Sequence, residues 1–303
     1  MTLPFFSVII PTYNRAHKLP ACIGSVLAQG FASYEIVIID NGSTDGTGEL
    51  IRERYPSDRI RYFWQEGSGS PANPRNQGIR KSRGEWVAFL DSDDLWHPEK
   101  LQKVYDQIMI SPEADVLCHN ERLVNVGELQ HTSILVHARK ADDLYRSMLM
   151  DGNCLSPSAT AVRRSLLVDN SLFFNEAPEY AIVEDYDLWL RLTAFGANIG
   201  FIDDVLGDYV VDGGNMIGNW DRYIRNLGHL YREHSYEVQR FDDDKERVYG
   251  QLRVMLALLV SHHLLREGRF GKASLSLLQA YRYDAVFFVN RLFRRFFRPR
   301  WGK

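Results

Sequence analysis

Three cysteines, Cys22, Cys118 and Cys154, are all that the 303 residues contain. Their odd number and wide spacing fit neither a disulfide framework nor a zinc site, which excludes a stapled secreted scaffold and points to a reducing compartment. An excess of one charge is missing too: 36 basic against 39 acidic residues leave a net charge of −3. That balance argues against a general nucleic-acid binder, so no nucleic-acid partner is expected. No stretch approaches 18 uninterrupted apolar residues, because Ser261, His262 and His263 break the run 255–260, and no membrane-spanning helix is expected. The amino terminus passes from Met1 into the apolar run 5–10 without the charged flank or cleavage site of a signal peptide. The expected location is the cytoplasm. A phosphate loop of the Gly-x-x-x-x-Gly-Lys-Ser/Thr type is absent, and Gly67-Ser68-Gly69-Ser70 lacks the third glycine of a dinucleotide fingerprint. His97, His119 and His131 are scattered without metal-ligand spacing. Repeats and low-complexity linkers are missing as well.

Hydrophobic residues make up 45% of the chain, ample for a core. Over the first 120 residues, short apolar runs at 7–10, 34–39, 59–63 and 86–90 are bounded by Gly, Pro, Asn or Asp, which predicts strands. Segments with helical spacing lie between them: Leu19, Ile23, Val26 and Leu27; Leu50, Ile51 and Arg54 after Asp45; and 76–82. Pro98 is expected in the first turn of a further helix carrying Leu101, Val104 and Ile108. Strands alternating with helices imply an α/β fold with a mainly parallel sheet. The second and fourth strands are almost wholly apolar, as central strands covered on both faces are, and each ends in a carboxylate, Asp40 and Asp91. Open α/β sheets bind ligands at the carboxyl ends of their strands, so both acids are expected to face one crevice. Beyond 115 the pattern is mixed, with strands near 116–118, 160–162 and 205–211 and a helix over 184–195. From 219 to 283 it is helical, with a hairpin turning at Glu267-Gly268-Arg269.

The chemistry concentrates in Leu90-Asp91-Ser92-Asp93-Asp94. Two carboxylates two residues apart, just past a strand, can both turn their oxygens into the crevice. Such hard donors suit Mg²⁺ or Mn²⁺, which in turn takes diphosphate oxygens. A solvated turn capping the next helix explains the same residues equally well taken alone.

Three other blocks accompany this one: Ser7-Val-Ile-Ile-Pro11-Thr12-Tyr13-Asn14-Arg15, Ile38-Ile-Asp40-Asn41-Gly42-Ser43-Thr44-Asp45-Gly46, and Asn73-Pro-Arg75-Asn76-Gln-Gly78. In this order and spacing, the four blocks resemble the family 2 inverting glycosyltransferases of the GT-A fold. The resemblance is close over 5–110 and looser over 150–215. It implies a catalytic domain over 1–218, with 1–110 binding a nucleotide sugar and 111–218 facing the acceptor, and a helical region over 219–303. Pro11, Thr12 and Tyr13 then match the loop lining the base and ribose pocket, and Arg15 and Ser92 fall inside donor-binding blocks. Asp40 matches the acid that accepts a hydrogen bond from the base, and Arg75 a basic residue near the phosphates. Asp91 matches the acid near ribose and metal, and Asp93 the direct ligand of Mn²⁺ or Mg²⁺. In this family the base sits in a Glu-Asp pair opening a helix, here Glu184-Asp185. Asp185 is expected to take the acceptor proton and Glu184 to orient acceptor hydroxyls. An acid in a first helical turn is also explained by the helix dipole alone, worth ~0.3–1 kcal/mol when exposed.

Three departures matter. Asn41 stands where many relatives have a second acid, Pro74 precedes Arg75 and is expected to stiffen its loop, and the Gln-x-x-Arg-Trp motif of processive synthases is missing. The reading is therefore transfer of one sugar, from a UDP-sugar in the first instance, to a glycan or lipid-linked saccharide. A sugar nucleotidyltransferase would instead need a glycine-rich basic loop where Pro-Thr-Tyr-Asn-Arg stands, and a non-catalytic glycan-binding protein would have no use for Asp93 and Asp185. At the carboxyl end, Phe287, Phe288, Val289, Leu292, Phe293, Phe296 and Phe297 interleave with five arginines. Such a segment, 286–303, is expected to rest on the inner face of a membrane, or alternatively to dock on the protein itself or on a second subunit.

Overall fold

A computed structural model of the chain describes residues 3–126, 133–137, 141–211, 219–239 and 244–297. His131, the tail cations Arg298, Arg300 and Lys303, and the segment 212–218 lie outside these residues. The chain forms two compact units, 1–144 with 153–218, and 145–152 with 219–303. Residues 145–152, assigned above to the acceptor side, group with the helical unit.

The first unit is built on a nine-stranded sheet in the order β3-β2-β1-β4-β8-β6-β9-β5, with β7 (Ser133–Leu135) on β6. β1 (Phe6–Thr12), β2 (Tyr34–Asp40), β3 (Ile60–Trp64) and β4 (Trp86–Phe89) run parallel, as expected. β1, β2 and β4 are buried along their whole length, which is why they lack polar alternation. The parallel character stops there. β8 (Thr160–Arg163) pairs antiparallel to β4 and to β6 (Val116–Asn125), and β5 (Leu95–Trp96) antiparallel to β9 (Ile199–Val211), while β6 and β9 are parallel.

Two helices, α1 (Leu19–Leu27) and α4 (Lys100–Ile110), turn Leu19, Ile23 and Val26 and Leu101, Val104 and Ile108 into the core that holds Val8, Ile10, Ile36 and Ile38. Pro98 lies in the turn before α4 rather than in its first helical turn. Between them come α2 (Thr47–Arg54) and α3 (Ala72–Lys81). At Gly78 of α3, a Cβ would sit 2.3 Å from Ile9 Cγ2, so the glycine sets how closely that helix approaches β1. Pro74 and Arg75 lie inside the first turn of α3, which corrects the expectation of a stiffened loop. There the missing proline N–H has no helical acceptor to lose. α5 (Leu144–Asp151) and α6 (Arg164–Asp169) precede α7 (Glu184–Phe195), which buries Leu188, Trp189 and Leu192. Trp189 packs 6.0 Å from Phe174, itself 5.3 Å from Phe89 of β4. Fully burying each such side chain contributes about 1.5–3 kcal/mol. This contact fixes the start of α7 against the sheet.

The second unit consists of α5 beyond its first residue, α8 (Trp220–Glu233), α9 (Lys245–Arg266), α10 (Phe270–Tyr283) and α11 (Ala285–Phe297). The α9–α10 hairpin turns where expected, with Gly268 at φ +73° and Arg269 N–H donating to Leu264 O. By length and composition α9 is long and apolar enough to cross a membrane, which corrects the count made from uninterrupted runs. A third of its most apolar stretch is buried within the fold, where Val254 and Ala257 pack on Ala280, with Phe287 and Phe288 of α11 against them. Those two phenylalanines of the tail therefore dock on their own unit.

Candidate functional site

Because β1 is flanked by β2 on one side and β4 on the other, the topological switch point lies at the carboxyl ends of β1 and β4, the place where open α/β sheets take ligands in a crevice. Thr12 closes β1, in register with Asp40 at the end of β2. The loops beyond are stitched together. Asn14, at φ +50°, has its N–H on Ser43 Oγ (2.8 Å) and its Oδ1 under Thr44 N–H (2.8 Å), and Ala16 N–H donates to Asp45 Oδ2 (2.9 Å). Gly42 has φ +90°, and a Cβ there would lie 2.8 Å from Gly67 N, so only glycine serves. Pro11 and Thr12 are buried and Tyr13 is exposed on the crevice loop. Thr12 Oγ1 is buried without a hydrogen-bond partner among the described residues, an orphan that a ligand in the crevice would satisfy.

Asp40 is placed differently from the expectation of a base acceptor. It is 0% exposed, and its oxygens accept from Ser43 N–H (2.8 Å) and Tyr62 O–H (2.6 Å). Its carboxylate shapes the loop after β2. Arg75 is likewise not aimed at open space. Its side chain is 5% exposed, with Nη2 on Asp91 Oδ1 at 2.7 Å and Nη1 on Glu184 Oε1 at 2.9 Å. The guanidinium keeps its charge despite burial, because Asp91 and Glu184 more than offset the desolvation. It joins the turn after β4 to the start of α7, reaching Glu184 across 109 positions of sequence.

Glu184 is buried, with Oε1 on Arg75 and Oε2 without a partner among the described residues, and burial foremost raises its pKa. Glu184 thus anchors Arg75 through one of its two oxygens. Asp185 is half-buried beside it, and Asn153 Nδ2 donates to its Oδ2 at 3.4 Å. Desolvation first and the Glu184 carboxylate second push the Asp185 pKa up to about 7. A carboxylate with that affinity for a proton is far better matched to general-base work at neutral pH than an ordinary aspartate.

Asp93 keeps one-fifth of its side chain open and faces Arg15 Nη2 at 3.6 Å. Its pKa is raised by burial and then by Asp91. Two carboxylates that resist sharing charge, one with an oxygen not engaged by Arg75, make a donor set of the hard type that Mg²⁺ or Mn²⁺ takes. Among the described residues no three His, Cys, Asp or Glu side chains converge to hold an ion by themselves, so further ligands would come from phosphate oxygens and water.

Sequence reasoning missed the supports beneath this turn. Ser92 is buried, and so is Asp94, which accepts from Ser158 Oγ (2.5 Å) and from Val210 N–H of β9 (2.9 Å). Ser158 Oγ also accepts from Asp91 N–H, and its carbonyl oxygen takes Trp96 Nε1–H and the wholly buried Lys100 ammonium. Tyr209 feels Asp94, Asp91, Asp185 and Asp93 together, and its hydroxyl pKa is raised by burial and by these four charges. Nothing in the pattern around Ser158 signals its role. Asp94, next to the two crevice acids, was within reach of inference. His97, left without a role by the sequence, places Nδ1 3.0 Å from Val205 O and Nε2 2.8 Å from Asp208 Oδ1, clamping β9 to this segment.

The profile of glycosyl transferase family 2 matches residues 7–169, which covers β1 to β8 and the whole of the Asp91–Asp94 turn. TuaG of Bacillus subtilis, named for teichuronic acid biosynthesis, is 37% identical over 234 residues, 76% of this chain and 88% of TuaG. An Escherichia coli UDP-Glc:alpha-D-GlcNAc-diphosphoundecaprenol beta-1,3-glucosyltransferase is 30% identical over 200 residues, 65% of this chain and 74% of that enzyme. The chain spans less of some other relatives: 65% of an uncharacterized glycosyltransferase from Nostoc and 14% of one from Rickettsia bellii. Among solved structures, residues 1–349 of S. aureus TarS in complex with UDP share the fold at a TM-score of 0.65 and 21% identity, over 98% of this chain and 94% of that one. With the four motif blocks in place around one crevice and the match running through them, the chain belongs to glycosyl transferase family 2, on a GT-A fold.

Proposed function

We propose that this protein transfers a single sugar from a nucleotide-diphosphate sugar, in the first instance a UDP-sugar, to an acceptor hydroxyl with inversion. One observation carries the reading: Arg75 ties Asp91, at the donor edge of the sheet, to Glu184, whose neighbour Asp185 has the proton affinity of a base at neutral pH. The UDP-bound structure of TarS and the UDP-Glc in the name of the E. coli relative support the choice of uridine.

Asp185 accepts the proton of the acceptor hydroxyl as its oxygen attacks the anomeric carbon from the face opposite the diphosphate. The bond from that carbon to the diphosphate oxygen breaks, and the nucleoside diphosphate leaves with the electron pair. Asp93, with the free oxygen of Asp91, would hold Mn²⁺ or Mg²⁺, which supplies neutralising charge to the departing diphosphate. Thr12 and Tyr13 line the nucleoside side of the crevice, and Arg15 is held there by Asp93. The acceptor read most readily is a lipid-linked saccharide, by likeness to the E. coli relative whose name states a diphosphoundecaprenol acceptor. That reading places the protein in the cytoplasm at the inner face of the membrane, in contact through 286–303, in polysaccharide assembly of the kind TuaG is named for.

The test is product analysis with a panel of nucleotide sugars and Mn²⁺. Release of UDP coupled to acceptor glycosylation is expected. Release of pyrophosphate, or no release from any donor although UDP binds, would overturn the proposal in favour of a nucleotidyltransferase or a binding protein.

A further inference from the structure

Charge is divided unevenly along this chain. Residues 1–263 carry 26 basic and 37 acidic side chains, a net −11, whereas 264–303 carry ten basic and two acidic, a net +8. The basic stretch begins at the end of α9 and includes α10 and α11.

Helix α10 is built inside out for a helix of a water-soluble unit. Its buried stripe is Ala273, Ser276 and Ala280, all small, packed on α9, with Ser276 Oγ donating to Ala257 O at 2.8 Å. Its large apolar side chains point the other way: Phe270 is 67% exposed, Leu275 56%, Leu278 46% and Tyr281 51%. At 100° per residue Phe270, Tyr281 and Leu278 fall within one 80° stripe, with Leu275 a further 60° round the helix. Of the exposed cations, Arg282 lies between Leu278 and Leu275, and Lys272 lies 60° beyond Leu275. The stripe does not stop at the helix end, for Tyr281 meets Phe288 of α11 edge to face at 6.2 Å, and Val286 of α11 is exposed. Arg291, by contrast, is spent within the unit on Asp151 (2.6 Å).

Large exposed apolar groups rimmed by cations, on a segment with a net +8 in a chain otherwise net −11, complement a surface that is apolar beneath and anionic at its boundary. We infer that the outer face of α10, continued on α11, docks on a lipid bilayer bearing anionic headgroups, with Phe270, Leu275, Leu278 and Tyr281 entering the headgroup boundary and Lys272 and Arg282 pairing with phosphates. This deepens the membrane contact proposed above for 286–303 and rests on it, but assigns the apolar insertion to a different helix. It makes no use of the transfer reaction.

The experiment is flotation of the purified full chain with phosphatidylcholine vesicles, with and without about 30 mol % phosphatidylglycerol, enough to give the surface a negative potential. Binding to the anionic vesicles and little to the neutral ones is expected. Leu275→Glu with Leu278→Glu should lower binding at least ten-fold, and Lys272→Gln and Arg282→Gln about five-fold each, the weight of one cation near such a surface. Because these positions are exposed, the variants should keep the wild-type melting temperature, which is measured alongside. Arg294→Gln with Arg295→Gln separates the two proposals. If that pair abolishes binding while the α10 variants bind like wild type, the tail contact stands and the α10 assignment falls. No binding by the wild type, or equal binding to both vesicle types, overturns both. A wild-type dimer that Leu275→Glu with Leu278→Glu turns into a monomer, with vesicle binding unchanged, would make the face a contact between copies and also overturn the inference.

Discussion

The sheet-bearing unit buries several charged side chains against partners, whereas helix α10 of the helical unit buries small side chains and sets its large apolar groups on the outside. Arg75, Asp94, Lys100 and Glu184 are all buried in the first, each against a named partner. Ala273, Ser276 and Ala280 are what α10 buries in the second. Among these only Arg75, with Glu184 and Asp91, forms an ion pair, and a buried pair costs desolvation that hydrophobic residues of the same size would avoid, so it marks a place where charge is used. An outward apolar stripe marks a place where a surface is met. One unit is organised around a ligand's charge and the other around an external face.

The sharpest way to break this contrast is to remove Arg75. Arg75→Ala leaves the buried Glu184 and the part-exposed Asp91 without their cation and should destabilise the protein by about 3–5 kcal/mol, read as a shift in the denaturation midpoint. A loss below about 1 kcal/mol would mean that the cluster is solvated and loosely held. Asp185→Asn should cut turnover by about 100-fold or more, the scale of a lost general base, while donor affinity stays near wild type. Unaltered turnover would move the base elsewhere.

The same variant has a pH signature. The Asp185 pKa is raised in the folded state to about 7 from an ordinary aspartate value, so the folded protein binds the extra proton across the window between them. Stability conferred by that proton is present below the window and lost as pH rises through about 7, the reverse of a salt-bridged carboxylate. Wild type should therefore lose stability relative to Asp185→Asn between about pH 4 and pH 7, and the acidic limb of its turnover near pH 7 should vanish in the variant. Parallel melting curves at all pH values would contradict the raised pKa. The smallest effect belongs to the helical unit. Asn219 caps α8 by accepting from Arg222 N–H at 3.0 Å, and Asn219→Ala should cost about 1 kcal/mol without touching turnover.

Much of the parallel half of the sheet was legible because its strands obey one rule: a run buried on both faces has no polar residues to confuse the pattern. β6 was not. Its middle reads His119-Asn120-Glu121, which looks like a turn, yet all three are buried strand residues paired with β9 across a bulge. Tertiary pairing there overrides local propensity. Asp91, Asp93 and Asp185 could be named from motif and position, and the structure gathers them around one crevice. The buried states of Asp40 and Glu184 could not, because the partners that bury them, Tyr62 and Arg75, are 22 and 109 residues away in sequence. Arg75 also sits behind Pro74, and a proline reads as a loop until the helix is seen to begin before it.

The central claim is that Asp93 and Asp91 grip a divalent cation together with a nucleoside diphosphate. Calorimetric titration of UDP in Mn²⁺, in EDTA and with Asp93→Ala tests it most directly. The account predicts binding in Mn²⁺ that is lost both in EDTA and in Asp93→Ala. Equal affinity in all three, or no heat in any, would contradict it.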